Sequence, residues 1–232
     1  REIQVPSVWK GKKIVGIFDF GNTGAGNNSG FEAMLYLNGE MYQGVDANHK
    51  EVFFDDIYCG ANMNVTFRLW SGLEGGGVPA PQEHRIVRAD LAWLDEEVDD
   101  FYYLASMVWE TIKELDEFNP VQHDLRKALD TACHCIDWAY PGSDTFYKSV
   151  HEANHLLNES IDSMDKKSSI NIRCVGHTHI DVAWLWRLKH TREKCSRSFT
   201  TVLRLMEQYP EYIFLQTQPQ LYEYMKEEFP DI

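Results

Sequence analysis

Apolar residues recur along this chain with three successive periods. Between residues 13 and 93 they come in short runs or alternate with polar ones. Residues 13–20 form an apolar, β-rich run. Residues 31–37 alternate and meet Asn38-Gly39, a strong two-residue hairpin signal, before Glu40-Met41-Tyr42. Residues 52–54, 64–70 and 85–93 supply further strands, and 64–70 alternates cleanly, with Val65, Phe67 and Leu69 on one face. The Gly-rich stretches 21–30 and 72–81 read as loops. Short strands at this spacing predict an all-β sandwich over residues 1–94. Trp9, Tyr42 and Trp70 are read as packing residues of that sandwich, not as a sugar platform.

Residues 95–165 switch to helical spacing. Asp95 is placed to cap a helix whose apolar positions are Val98, Phe101, Tyr102, Ala105, Val108, Trp109, Ile112 and Leu115. Asn119-Pro120 starts a second helix, with the proline in the first turn where its missing N–H costs nothing. Its stripe is Leu125, Leu129, Ala132, Cys133 and Ile136. Tyr140-Pro141-Gly142-Ser143 breaks it. A third helix over 144–164 turns Phe146, Val150, Ala153, Leu157 and Ile161 inward. Short connections make this a small antiparallel helical bundle. His151 and His155, four apart, read as part of a solvated helix face. Residues 165–169 are a polar linker.

The pattern changes once more over 170–232. Residues 170–176 read as a buried strand. Thr191 reads as the cap of a helix carrying Phe199, Val202, Leu203 and Met206, which Tyr209-Pro210 ends. Residues 212–217 read as a second strand, and Pro219 opens a helix with Leu221, Tyr224 and Met225 facing in. Strand, helix, strand, helix describes two βα units of a parallel sheet. Two strands do not close a barrel, so the expectation is the opening of a larger α/β-barrel domain in a multidomain protein.

Composition narrows the partners. Lys and Arg number 22 against 36 Asp and Glu, a net charge of −14. Nucleic acid and anionic membrane both select basic surfaces, so neither is expected as a partner. The five cysteines form no disulfide framework. Cys133-His134-Cys135 falls inside a helical pattern, where neighbours two apart diverge, so these are read as helix residues and not as a metal cluster. No signal-peptide pattern opens the chain and no run is long enough to span a membrane. A reducing, cytoplasmic compartment is expected.

The chemistry concentrates in Val175-Gly176-His177-Thr178-His179-Ile180-Asp181-Val182-Ala183-Trp184. Spacing two in extended backbone puts His177, His179 and Asp181 on one face. Imidazole and carboxylate together suit a divalent ion such as Zn²⁺. Trp184 adds a flat apolar plate, and a metal beside an aromatic plate suits a sugar ring. The stretch also falls at the carboxyl end of the first parallel strand, where α/β folds bind ligands.

Residues 173–232, from Arg173-Cys174-Val175-Gly176-His177-Thr178-His179-Ile180-Asp181 through Gln216-Thr217-Gln218-Pro219-Gln220-Leu221-Tyr222, resemble the start of the catalytic domain of class II α-mannosidases, glycoside hydrolase family 38. More loosely, Trp9-Lys10-Gly11-Lys12 and Tyr36-Leu37-Asn38-Gly39 resemble the N-terminal region of the cytosolic, bacterial-like branch. The resemblance implies a zinc-dependent retaining glycosidase that releases terminal α-linked mannose from mannosides or oligosaccharides. It implies that His179 and Asp181 are zinc ligands and that Trp184 stacks on the sugar. It leaves His177 as a supporting or packing residue. The nucleophile and general acid are expected beyond Ile232, so the catalytic residues are unknown and residues 1–232 alone are expected to be inactive. Members of this branch are often homo-oligomers. Two other readings stand beside it. One is a metal-dependent amidohydrolase, whose barrels also begin with His-x-His; the other is a non-catalytic carbohydrate-binding or assembly module.

Overall fold

A computed structural model describes residues 1–23, 30–70, 83–165, 170–184 and 186–232. The expected loops at 21–30 and 72–81 and the linker at 165–169 fall wholly or largely outside these residues. The chain divides into two compact units: 1–93 together with 172–232, and 94–171.

The first unit opens with seven strands: β1 (Glu2–Gln4), β2 (Lys13–Asp19), β3 (Glu32–Leu37), β4 (Glu40–Asp46), β5 (Glu51–Phe54), β6 (Asn62–Trp70) and β7 (Arg88–Leu94). They form a four-stranded sheet, β1-β6-β3-β4, and a three-stranded sheet, β5-β2-β7. The Asn38-Gly39 hairpin is present, with φ of 54° and 95° at the two positions. Both lie in the left-handed region a two-residue hairpin turn demands, which Asn tolerates and Gly adopts freely. Alternation then decides what goes inside. Met63 and Val65 are buried and Phe67 and Leu69 pack beside them, while Ala33, Leu35 and Leu37 face the same core. From the other sheet come Ile14, Phe18 and Val52. Phe18 and Phe67 meet edge to face at 4.7 Å between ring centroids. Strand β1 was not signalled by the sequence. It is three residues long, too short for alternation to register, and β6 holds it in antiparallel register.

The second unit is a three-helix arrangement: α1 (Glu96–Glu114), α2 (Pro120–Cys135) and α3 (Asp144–Ser163). The expected caps are in place. Asp95 accepts from the Val98 N–H at 3.1 Å and Asn119 from the Val121 N–H at 3.0 Å. Ser143 caps α3 through the Phe146 N–H. Gln122 is buried and donates to the carbonyls of Ile112 and Leu115, so α2 satisfies the otherwise orphaned end of α1. Two residues expected in the core are outside it: Tyr102 is 64% exposed and Trp109 48% exposed. At about 100° per residue both lie roughly 80–100° around the helix from Phe101, Val108 and Ile112, which are the buried stripe. His151 is bonded to Asp95 at 2.9 Å, so it closes the start of α1 and is not merely solvated; His155 pairs with Glu159. Cys133 and Cys135 lie within α2, and His134 Nδ1 is bonded to the Asp130 carbonyl.

Residues 172–232 add β8 (Gly176–His177), α4 (Leu188–Gln208), β9 (Phe214–Leu215) and α5 (Pro219–Glu228). β8 and β9 pair in parallel, and Leu221, Tyr224 and Met225 pack inward with Ile180 and Cys195. Both strands are shorter than the pattern suggests. Ile170, Ile172 and Val175 are 73%, 83% and 51% exposed and are not in a strand. Apolar runs extend a strand only where a neighbour pairs or covers them, and here β9 pairs with two residues alone. Thr191 does not cap α4. Arg187 occupies that position without a side-chain bond, Thr191 sits in the first turn, and Met206 is 39% exposed on the outer face.

Candidate functional site

The site rests on a contact the strand alternation alone does not announce. Positions of β3, β4 and β6 that face away from the sandwich core are Glu32 and Met34, Gly44, and Arg68 and Trp70. Helix α4 lies across them. This is why Ala33, Met34 and Leu35 are all buried: both faces of β3 are covered. Close approach needs Gly44, since a Cβ there would stand 2.6 Å from the Arg197 carbonyl oxygen and 2.8 Å from Thr201 Oγ1. Glu32 binds both Lys194, at 2.6 and 2.8 Å, and Arg197, at 2.6 Å. The Lys194 ammonium also stands 4.8 Å from the Trp70 ring and 4.7 Å from the Trp186 ring. His190 lies edge-on to Trp70; burial, then the nearby Lys189, lowers its pKa, which favours a neutral ring.

From this platform the chain leaves β8 and turns through residues 178–184. Thr191, fully buried, organises that turn. Its Oγ1 accepts from the Ala183 N–H and the Trp186 Nε1–H, both at 3.0 Å, and its hydroxyl donates to the Asp181 carbonyl at 3.1 Å. The first bond holds Ala183 at φ 60°, a left-handed conformation that costs a residue with a Cβ about 1–2 kcal/mol. Trp184 follows directly, 60% exposed and edge to face with Trp186. From β9, buried Gln216 donates to the Thr178 carbonyl at 2.7 Å and accepts from the Gln218 N–H, tying the two strand ends together.

Within this frame His179 Nε2 and Asp181 Oδ1 lie 3.0 Å apart, with the imidazole largely exposed and the carboxylate partly so. His177 is hydrogen-bonded to neither. It ends β8, and the chain beyond it is no longer extended, so a spacing of two no longer fixes a shared face. A cleft of about 510 Å³ is lined by His177, His179 and Trp184, by Trp70 and Glu32, and by Asp46 and His49 of the β4–β5 turn. That turn is braced: Asp46 Oδ1 accepts from the Asn48 and His49 N–H groups, and both carboxylate oxygens stand 3.0 Å from His49 Nδ1. Burial pulls the Asp46 pKa up, but the bonds from His49 and the backbone outweigh it and leave it lowered; the bond to Asp46 raises that of His49.

His179 and Asp181 fit a zinc site in donor chemistry, one imidazole nitrogen and one carboxylate oxygen converging at an accessible point. Among the described residues no third His, Cys, Asp or Glu joins them. Of the aromatics read as packing, Tyr42 stacks on Phe54 and Trp9 packs against the sandwich core, whereas Trp70 lines the cleft. Gln216, Glu32 and the Asp46–His49 turn were not singled out as site residues by the sequence, and Thr191 was read there only as a helix cap. Glu32 and Lys194 are 162 positions apart, and no local pattern links them.

Cys195 packs beneath the turn. It is fully buried, and burial pushes its thiol up to about 11. At pH 8 only about one molecule in 10³ carries the reactive thiolate at that position. Alkylation of the folded protein with iodoacetamide is therefore expected to label exposed Cys174 first and Cys195 only on unfolding. Peptide mapping over time reads this, and equal rates at the two sites would refute the packing described.

Residues 169–232 match the model of the glycosyl hydrolases family 38 N-terminal domain. Across 99% of its length the chain is 28% identical to alpha-mannosidase G of Dictyostelium discoideum, covering 21% of that protein. It is 27% identical to alpha-mannosidase 2C1 of Homo sapiens over 100% of the chain and 22% of the relative. Over 75% of the chain it is 28% identical to alpha-mannosidase of Saccharomyces cerevisiae, covering 17% of it. The chain thus spans about a fifth of the length of these relatives.

Proposed function

We propose, for a chain whose residues 169–232 belong to the family 38 glycosyl hydrolase N-terminal domain, that it forms the front part of a zinc-dependent, retaining α-mannosidase releasing terminal α-linked mannose from mannosides or oligosaccharides. The observation that carries this reading is the pair His179–Asp181, 3.0 Å apart beside exposed Trp184 at the end of a parallel strand. His179 and Asp181 would hold the zinc, which when bound supplies a charged template for sugar hydroxyls. The Trp184 ring offers an apolar face to the pyranose. Thr191 fixes the backbone between ligand and plate, so the two recognise one ring together.

Retaining hydrolysis requires two carboxyl groups about 5–5.5 Å apart, one a nucleophile and one an acid then base. We assign neither to this chain and place both in segments that follow Ile232. In the same reading β8-α4-β9-α5 opens an α/β barrel whose ligands bind at the carboxyl ends of its strands. Exposed Ile172, Val175, Ile213 and Leu215 support it, because further strands and helices would cover them. Among the described residues no helix is long and apolar enough to cross a membrane. The unpaired cysteines fit a reducing compartment, which we take to be the cytoplasm.

The test is zinc content and aryl α-mannoside hydrolysis by the full-length protein, before and after chelation. Bound zinc with activity lost on chelation and restored by zinc is expected. Zinc without mannosidase activity would transfer the site to another metal-dependent hydrolysis, and active protein without zinc would remove the metal from the reading.

A further inference from the structure

The cleft has more lining than the site just described, and part of that lining comes from the sandwich. Its volume of about 510 Å³ lies within the ~300–1,000 Å³ range of small-molecule sites and exceeds what a single sugar ring at Trp184 fills. Besides His179 and Trp184 the lining includes Trp70, on the outer face of β6, and Asp46, Asn48 and His49 of the β4–β5 turn.

The charges along this extension select among ligands. The cations Lys194 and Arg197 are both engaged by Glu32, at 2.6–2.8 Å, which neutralises one of the two positive charges. Asp46 adds a carboxylate, and its lowered pKa keeps it ionised at neutral pH. Counted formally, the carboxylates Glu32 and Asp46 balance the cations Lys194 and Arg197, so the lining carries no net charge that would draw an anionic sugar. A neutral sugar finds hydroxyl acceptors at Asp46, donors and acceptors at Asn48 and His49, and an indole at Trp70. The turn is also preorganised: Asp46 Oδ1 receives two backbone N–H groups, at 2.7 and 2.8 Å, and Oδ2 has only the His49 ring as a partner among the described residues. A carboxylate fixed in this way loses little freedom on accepting a hydroxyl.

We propose that the β4–β5 turn, with Asp46 and His49 as its recognising side chains, forms a second saccharide subsite that holds the neutral sugar next to the mannose bound at Trp184. The inference rests on the mannosidase reading for what occupies the first subsite. It makes the β-sandwich part of substrate recognition: the sandwich sets which oligosaccharides are accepted, and the His179–Asp181 end sets which sugar is released.

The experiment compares an α-linked mannobiose with an aryl α-mannoside in the full-length protein carrying Asp46→Asn or His49→Gln. Asn still accepts the two backbone N–H groups through its side-chain oxygen, so Asp46→Asn keeps the turn while removing the charge. For each variant the ratio of kcat/KM on mannobiose to kcat/KM on the aryl mannoside is expected to fall by about tenfold or more, the loss of one charge-assisted hydrogen bond. An unchanged ratio in both variants overturns the proposal, whether both rates hold or both fall together. If the wild-type protein hydrolyses neither substrate, the mannosidase reading fails separately. Titration of the same proteins with mannobiose and with mannose still decides the subsite: wild-type preference for the disaccharide, lost in Asp46→Asn, supports it, and equal binding of the two by wild type overturns it.

Discussion

Asp181→Ala in the full-length protein is expected to abolish mannoside hydrolysis, by at least about 10³-fold, and to release the zinc. The magnitude follows from what is lost. Removing a single neutral hydrogen-bond donor from a preorganised charge-stabilising site costs about 10²–10³ in rate, and here a charged ligand goes, leaving His179 alone among the side chains we assign to the metal. The fold is not at stake. Asp181 contributes to the turn through its backbone carbonyl, which accepts the Thr191 hydroxyl, and that bond survives truncation to alanine. The carboxylate itself meets only His179 among the described residues. Thermal stability of the variant measured without metal should therefore stay within about 1 kcal/mol of wild type, the usual range for a partly exposed side chain. Asp181→Asn sharpens the test, because the amide preserves shape and a hydrogen bond to His179 while weakening the ligand. Zinc content by metal analysis and kcat/KM on an aryl α-mannoside, measured on the same preparations, decide it. Full zinc and full rate in Asp181→Ala would sink the metal assignment and with it the reading of Trp184 as a sugar plate.

How much of this arrangement the sequence announces depends on the range of the interactions. Strands β3, β4 and β6, the Asn38-Gly39 turn and the helix starts at Asp95 and Asn119 are local. Each is fixed by residues a few positions apart, and each was legible. His179, Asp181 and Trp184 stood out as candidates for another reason: residue types with little business together at a strand end sit within six positions. What alternation could not convey is that the outer face of the four-stranded sheet is covered. Glu32 and Arg68 look like solvent-facing positions of a half-buried strand, yet Glu32 is held by Lys194 and Arg197 and Arg68 by Glu193. The local hints were Met34, Tyr36 and Trp70, large apolar or aromatic residues on what should have been the wet face. The same limit shortened β8 and β9, since an apolar run states that a segment prefers burial without supplying the neighbour. It also misplaced Thr191. A threonine before an apolar helical stripe is a good cap by type, but here its hydroxyl is drawn inward to backbone groups of the preceding turn.

That misplaced threonine carries the second large effect. Thr191→Val preserves shape and volume and removes the hydroxyl, so it leaves the Ala183 N–H, the Trp186 Nε1–H and the Asp181 carbonyl without their partner. Unsatisfied buried polar groups cost about 1–3 kcal/mol each. Residues 182–184 are exposed, so the freed backbone groups partly hydrate, and a total near 2–3 kcal/mol is the reasoned value. For a cooperative unit of this size that lowers Tm by roughly 5–10 °C. The left-handed conformation at Ala183 loses the bond that offsets its strain, and Trp184 and Asp181, on either side of it, lose their fixed relation. The rate should therefore fall even below the melting transition, through a raised KM as the plate and the ligand cease to recognise one ring, with a smaller effect on kcat. Thr191→Ser, which keeps the oxygen and drops one methyl, should recover most of the KM while still costing some stability through lost packing. This pattern separates positioning from general destabilisation. If Val and Ser variants of equal Tm have equal KM, Thr191 supports the helix alone and the turn is held by other contacts.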